Sequence, residues 1–204
     1  MIRYSHINNL VLRIYTKLPD LSFPLNPQRV VALIPNCRYM SYSDFATATH
    51  TSVKEIITLC ESCFGCTHYE ISKNRYLILC NESFAGNNNL GRQRWTLAHE
   101  LGHVLCRHLE HDFKSASYSR ALDSLTHSPH EMEADCFART LLAPMPLISH
   151  LKISSVAELQ STFGLSSEAS INVYKGYIKW KANHYKTAWE DNLIYAYITK
   201  QKNR

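Results

Sequence analysis

The stretch Thr-Leu-Ala-His-Glu-Leu-Gly-His-Val-Leu, residues 96–105, decides the fold and carries the first chemical signal. Its apolar residues recur at helical spacing, so we predict that it lies within one helix over residues 92–109. His99 and His103 are four positions apart and project from such a helix about 40° from each other. Two imidazoles on one helix face, one turn apart, can bind the same zinc ion.

Glu100 follows His99 directly, and its side chain is therefore placed beside the metal. A carboxylate in this position can take a proton from water, whose pKa zinc lowers towards neutrality, and pass it to a leaving amine. The sequence thus predicts a hydrolytic zinc site with Glu100 as the general base. The competing interpretation is a structural helix with two surface histidines.

A catalytic zinc usually takes three protein ligands, so a third must come from elsewhere in the chain. The predicted helix 131–142 begins with Glu131, and Asp135 follows one turn later on the same face. We expect Glu131 to bind the metal and Asp135 to accept the remaining N–H of one of the two imidazoles. Glu133 points elsewhere if Glu131 faces the metal, and it is the second candidate. The alternative for Glu131 is an ordinary acid in the first turn of a helix.

The residues that follow His103 are predicted to have no role at the metal. The metzincin spacing needs His and Gly at the positions of Leu109 and Cys106, so that class is excluded. We expect His108 and His111 to be exposed at the helix end, where an imidazolium suits the helix dipole. Cys106 is predicted to be a packed thiol.

Three residues that precede Glu131 in the chain are candidates for stabilising the negative charge that develops on a substrate oxygen. They are His127, His130 and Tyr118. The sequence does not choose among them. Loop histidines without a role are the default interpretation.

The seven cysteines are an odd number without a secretory signal, which favours free thiols. Cys60, Cys63 and Cys66 have a spacing that can share a metal, yet they end an apolar helix, where buried thiols are ordinary. No apolar run approaches the roughly 20 residues of a membrane-spanning helix. We therefore expect a cytoplasmic protein.

The net charge of +5 comes from an excess of Lys and Arg over Asp and Glu in residues 175–204. A solvated helix face is the simpler interpretation of this basic tail, and a nucleic-acid or acidic-partner site is the alternative. The remaining elements follow from periodicity and turn residues. The predicted helices are 1–17, 43–48, 53–63, 156–163, 167–180 and 188–198, with a strand at 29–34 and a hairpin at 67–71 and 75–80. The apolar residues of the helix pair 156–180, including Ile171 and Ile178, are expected to pack on the rest of the chain.

The residues around both motifs resemble the ImmA/IrrE family of zinc metallopeptidases. The resemblance rests on Gly-Arg-Gln-Arg-Trp-Thr, residues 91–96, leading into His-Glu-Leu-Gly-His. It rests equally on residues 131–144, which read Glu-x-x-Ala-Asp-x-Phe-Ala-x-x-Leu-Leu-Ala-Pro. In outline it extends from about residue 29 to about residue 180, because the hairpin and the later helix pair also recur in the family.

The resemblance implies a cytoplasmic bacterial peptidase, often encoded by a phage or another mobile element, that cuts a helix-turn-helix repressor. It assigns His99, His103 and Glu131 as zinc ligands and Glu100 as the general base. Two positions depart from the pattern: the family commonly has Asn at the position of Asp135, and it often has Met at position 144, which is Pro here. Neither position is a metal ligand.

These observations predict an α+β fold: a zincin-like metallopeptidase domain with an active-site helix, a small antiparallel sheet and a helical C-terminal subdomain. The predicted division is a lead-in at 1–28, the peptidase domain at 29–150 and the C-terminal subdomain with its basic tail at 151–204. The expected function is zinc-dependent cleavage of a protein substrate. The rival is a regulator that binds a repressor or DNA with a structural zinc and without hydrolysis. A nucleic-acid partner is not favoured, no membrane partner is expected, and the sequence assigns no oligomeric state.

Overall fold

A computed structural model describes residues 1–82, 90–110, 117–118, 128–183 and 186–202 of the chain. Its helices and strands form a mixed α+β fold, which confirms the predicted fold class. The helices are α1 (Tyr4–Lys17), α2 (Gln28–Val31), α3 (Tyr42–Thr49), α4 (Val53–Cys60), α5 (Leu90–Leu105), α6 (Pro129–Leu142), α7 (Met145–His150), α8 (Val156–Phe163), α9 (Ser167–Asn183) and α10 (Ala188–Lys202). The strands are β1 (Cys37–Ser41), β2 (Gly65–Glu70), β3 (Arg75–Cys80) and β4 (Ser117–Tyr118).

The sheet has the strand order β1-β3-β2-β4. β2 and β3 form the predicted hairpin, in which Gly65 pairs with Cys80, and the turn between them uses Asn74 in the left-handed region. β4 pairs antiparallel with β2, but β1 runs parallel to β3. The sheet is therefore mixed rather than purely antiparallel, because α3, α4 and β2 intervene between the two parallel strands.

The two faces of the sheet contact different cores. Tyr76 and Ile78 of β3 join the large core formed with most of the helices, whereas Leu79 joins a smaller core with Tyr42 and Ile56. The alternation follows from the two-residue period of a strand. One face of the sheet is thereby packed toward α5.

The predicted strand over residues 29–34 is wrong. Residues Gln28–Val31 form the short helix α2, and the strand begins only at Cys37. Asn26 and Pro27 start the helix, since the Asn26 side chain accepts the N–H of Gln28 at 3.0 Å and proline has a helical φ.

The C-terminal helices begin near the predicted residues. Ser155 accepts the N–H of Glu158 at the start of α8, and Gly164, with φ of 61°, ends that helix. The prediction that Ile171 and Ile178 pack inward is wrong: they are 42% and 49% exposed on α9. The buried face of α9 instead presents residues such as Val173.

Cys60 and Cys66 form a disulfide, so the prediction of free thiols is wrong for this pair. The turn between α4 and β2 brings their Cα atoms to 5.8 Å, within the usual range for a disulfide. The other five cysteines are free.

The large core draws side chains from all three predicted segments, including Ile7 of α1, Leu141 of α6 and Phe163 of α8. The boundaries at residues 28 and 150 stay a prediction. Within the described residues, none of the helices combines the length and apolarity that crossing a membrane requires.

Candidate metal centre

The helices α5 and α6 pack so closely that their backbones are in contact. Gly102 lies against Ala134, and a Cβ atom built on Gly102 would come within 2.8 Å of the Ala134 Cα atom and 3.1 Å of its carbonyl oxygen. Ala98 and Leu101 of α5 and Phe137 of α6 are completely buried beside this crossing. Because small residues stand at the contact, one face of α5 lies next to the first turn of α6.

Three predicted ligands meet at this crossing. Nε2 of His99 lies 3.1 Å from Nε2 of His103, and the two oxygens of Glu131 lie 3.2 Å and 3.3 Å from these nitrogens. All three residues are buried. Ser128 begins α6 by accepting the N–H of Glu131 at 3.2 Å, which fixes Glu131 in the first turn.

In each imidazole, the Nδ1 nitrogen also lies within hydrogen-bond distance of a neighbouring side chain. Nδ1 of His99 lies 2.8 Å from Oδ1 of Asp135. An ionised carboxylate can only accept, so Nδ1 of His99 donates to Asp135, and Nε2 is the atom that faces Glu131 and can bind a metal. Nδ1 of His103 lies 3.0 Å from Nδ1 of His108. The structure thus brings Asp135 to His99 and gives His103 a partner that the sequence did not indicate.

This donor set fits a metal ion. Two imidazole nitrogens and one carboxylate converge with their ligand atoms within 4.8 Å of one another. Two histidines and one glutamate are a known ligand set of catalytic zinc, with one further position left for water or substrate. Burial raises the pKa of Glu131, but the two imidazoles outweigh that effect and hold the pKa below its usual range. The carboxylate is therefore ionised, as a metal ligand must be.

The side chain of Glu100 extends from α5 toward the sheet. It is 3% exposed, and its Oε2 accepts a hydrogen bond of 2.8 Å from the hydroxyl of Thr67 on β2. Thr67 is completely buried, and the sequence analysis missed it. The only signal in the sequence is a polar residue at the start of an apolar strand, which is too common to single out.

A second buried group lies behind His103. Cys106, His108 and Glu133 place one potential ligand atom each within 4.8 Å of one another. Glu133, the second candidate for the third ligand, lies in this group with His108 and accepts hydrogen bonds from Arg3. Burial raises the pKa of Glu133, but its hydrogen bonds to Arg3 and His108 outweigh burial and bring the pKa to about 2.

The prediction that His108 is exposed is wrong, since it is 2% exposed. Helix α5 ends earlier than predicted, at Leu105, and Arg107 adopts a left-handed φ of 60°. The N–H of His108 then donates to the carbonyl of His103 at 3.0 Å, which is the hydrogen bond of a Schellman motif. This turn folds His108 back against the helix. His111 lies outside the described residues.

Of the three candidates for stabilising the substrate oxygen, His130 alone has a side chain within the described part of the chain. The His130 ring stacks on His108 with centroids 4.5 Å apart. Tyr118 belongs to β4, where it pairs with Thr67, and its side chain lies outside the described part of the chain, as does all of His127. None of these roles is tested.

A peptidase family model described as the IrrE N-terminal-like domain matches residues 67–172. The matched span is just over half of the chain and contains α5, which carries His99, Glu100 and His103, together with α6. The chain belongs to the ImmA/IrrE family of metallopeptidases. No curated protein matches it.

Membership in the ImmA/IrrE family agrees with the geometry, because the matched span includes His99, His103 and Glu131 together with Glu100 and Thr67. A metallopeptidase needs a metal ion, and this group of residues can hold one. The roles of the individual residues remain predictions.

Proposed function

We propose that this protein is a zinc-dependent endopeptidase that cleaves a helix-turn-helix repressor, typically one encoded by a phage or another mobile element. One observation carries the catalytic part of the proposal. His99, His103 and Glu131 bring one potential ligand atom each to within 4.8 Å of the others, and the buried acid Glu100 follows His99 directly on α5.

Each residue then has a defined task. His99, His103 and Glu131 would hold the metal. Zinc supplies a Lewis acid that polarises a carbonyl and makes water more acidic. The Glu100 carboxylate takes a proton from the attacking water and delivers it to the leaving amine. Thr67 positions that carboxylate by donating to its Oε2 atom.

The rival proposal is a regulator with a structural zinc. Structural zinc sites usually close with four protein ligands and have no use for a neighbouring acid. Within the described residues, three donors converge at the crossing of α5 and α6, and Glu100 lies next to His99 in the chain. This arrangement leaves one position for water and therefore favours hydrolysis.

The choice of a repressor as substrate rests on family membership. The exposed face of α9, which includes Ile171, Lys175 and Ile178, combines apolar and basic side chains. Such a surface is suited to contact with a protein partner. We propose that substrate choice depends on docking a folded partner as well as on the residues around the scissile bond.

The test uses Glu100→Gln, which retains the size of the side chain but cannot act as a base. Tagged Glu100→Gln is expressed in cells, and a repressor recovered with it is identified, purified and incubated with zinc-loaded wild-type protein. Wild type should cut the repressor at one site or a few sites, and Glu100→Gln should be slower by a factor of about 100 or more. Asp191→Asn, which alters an exposed acid in the first turn of α10, should cut at the wild-type rate. Equal cleavage by Glu100→Gln and wild type would refute the mechanism.

A further inference from the structure

His103 is one end of a buried chain of hydrogen bonds that leads away from the proposed metal. Its Nδ1 lies 3.0 Å from Nδ1 of His108, and Nε2 of His108 lies 3.0 Å from Oε2 of Glu133. The three side chains are 3% exposed or less. At this depth every proton between them has to be shared with a protein atom.

The chemistry of the two end groups fixes the position of each proton. The Glu133 carboxylate only accepts, so Nε2 of His108 donates to it. When Nε2 of His103 binds the metal, the proton of that ring is on Nδ1 and is donated to Nδ1 of His108, 3.0 Å away, so His108 has a lone pair there. His103 is left with a lone pair on Nε2, the atom that lies 3.3 Å from Glu131.

The chain ends on the N-terminal segment. Arg3, the residue that precedes α1, donates to Glu133 from Nη2 at 2.6 Å and from Nε at 3.0 Å, and its backbone N–H adds a hydrogen bond of 2.8 Å. Nη2 also donates to the carbonyl oxygen of Cys106 at 3.0 Å. One arginine therefore ties the start of α1 to α6 and to the end of α5. Arg3 lies outside the matched span 67–172.

The same contacts argue against a second metal ion beside Cys106, His108 and Glu133. The guanidinium of Arg3 already neutralises Glu133 through paired hydrogen bonds. Burial raises the pKa of the Cys106 thiol to about 12, so without a metal ion the thiol stays protonated. The group is built to hold a hydrogen-bonded chain.

We propose that Arg3, Glu133 and His108 are positioning residues that hold His103 in the tautomer with a proton on Nδ1 and a lone pair on Nε2. The proposal deepens the proposed function and rests on it, because it assigns His103 as a metal ligand. It makes the N-terminal segment part of the metal centre, although α1 provides no metal ligand. Outer partners of metal-bound histidines typically change metal affinity by about 10-fold to 100-fold when removed.

The first measurement is made on metal-free protein and needs neither zinc nor substrate. Nitrogen NMR of ¹⁵N-histidine-labelled wild type near neutral pH should show His108 protonated on Nε2 and His103 protonated on Nδ1. In His108→Phe, which retains a flat ring against His130, His103 should become a mixture of both tautomers. A mixture in wild type, or an unchanged His103 in His108→Phe, would overturn the proposal.

The second measurement is zinc affinity by competition with a chelator, using zinc alone as the probe. His108→Phe should bind zinc about 10-fold to 100-fold more weakly than wild type, and Arg3→Ala should weaken binding in the same direction. Arg3→Lys, which retains the charge but not the paired hydrogen bonds, should restore part of the loss. Arg29→Ala is the control, since it removes an arginine whose ion pair with Asp20 lies elsewhere.

Arg3→Ala is a second variant with a different structural effect, because the Arg3 side chain is 49% exposed and lies outside the hydrophobic core, and circular dichroism checks that it folds. Wild-type affinity in both Arg3→Ala and His108→Phe would overturn the proposal. If wild type bound no zinc while the tautomers were as stated, the proposed function would fail and the proton assignment would stand. The two failures are therefore distinguishable.

Discussion

Gly102 of α5 lies so close to Ala134 of α6 that a Cβ atom on Gly102 would stand 2.8 Å from the Ala134 Cα atom. The contact is between two backbones, so no flexible side chain can move aside. It sets the separation of the two helices that carry His99 and Glu131. Several properties of the proposed centre depend on this separation.

Gly102→Ala should force the two helices apart. We expect a loss of about 1–3 kcal/mol in the free energy of unfolding, as for other overpacked cores, together with weaker zinc binding. Denaturant unfolding and chelator competition measure the two effects. Gly176→Ala in α9 is the matched control: its added Cβ would meet only the end of the Met145 side chain, at 3.3 Å. That variant should be neutral or more stable, and a neutral Gly102→Ala would contradict the account.

Asp135 should matter through its oxygen atom rather than its charge. It accepts the Nδ1 proton of His99, and an asparagine oxygen can do the same. Asp135→Asn should therefore bind zinc within a few-fold of wild type, whereas Asp135→Leu should bind it about 10-fold to 100-fold more weakly. Isothermal titration with zinc distinguishes the two variants. Equal affinities in Asp135→Leu and wild type would show that the contact has no role at the metal.

Thr67 should affect catalysis but not metal binding. Thr67→Val has nearly the same shape and removes the hydrogen bond to Oε2 of Glu100. Loss of one such hydrogen bond, worth about 1 kcal/mol, should reduce kcat about fivefold to tenfold. Thr67→Ser should restore the rate. The measurement is cleavage of the repressor recovered with Glu100→Gln, with zinc content determined in parallel. Lower zinc content in Thr67→Val would contradict this role.

The basic residues of α9 test the rival function. Lys175, Lys179 and Lys181 are exposed, so their joint replacement by Gln should leave the fold intact. Deleting residues 175–204 is a poor test, because Tyr177 and Leu193 are buried in the core. We expect wild type to show no salt-dependent shift of random DNA. A shift that weakens with salt and disappears in the triple variant would support the DNA-binding regulator.

Local patterns were enough to predict the two motifs and most helices. His99 and His103 are one turn apart, and the hairpin at 67–80 is specified by a turn between apolar runs, so both could be inferred from short windows of sequence. The parallel pairing of β1 with β3 could not, because it joins residues such as Cys37 and Tyr76 across two helices.

The surroundings of His103 depend on contacts that no sequence window contains. His108 is buried because Arg107 turns the chain back in a left-handed conformation, which is uncommon for a residue other than glycine. Arg3 reaches Glu133 across 130 positions of sequence. Periodicity places residues on helix faces, but it does not predict which distant side chain completes a hydrogen-bonded chain.

The most direct test of the central claim is the zinc content of purified protein after loosely bound ions are removed. Wild type and Glu168→Ala should each contain about one zinc per chain, as expected for a single three-ligand site, and Glu131→Ala should contain far less. Folding of each variant is checked by circular dichroism. No zinc in wild type after reconstitution, or equal zinc in Glu131→Ala and wild type, would contradict a metal centre built from His99, His103 and Glu131.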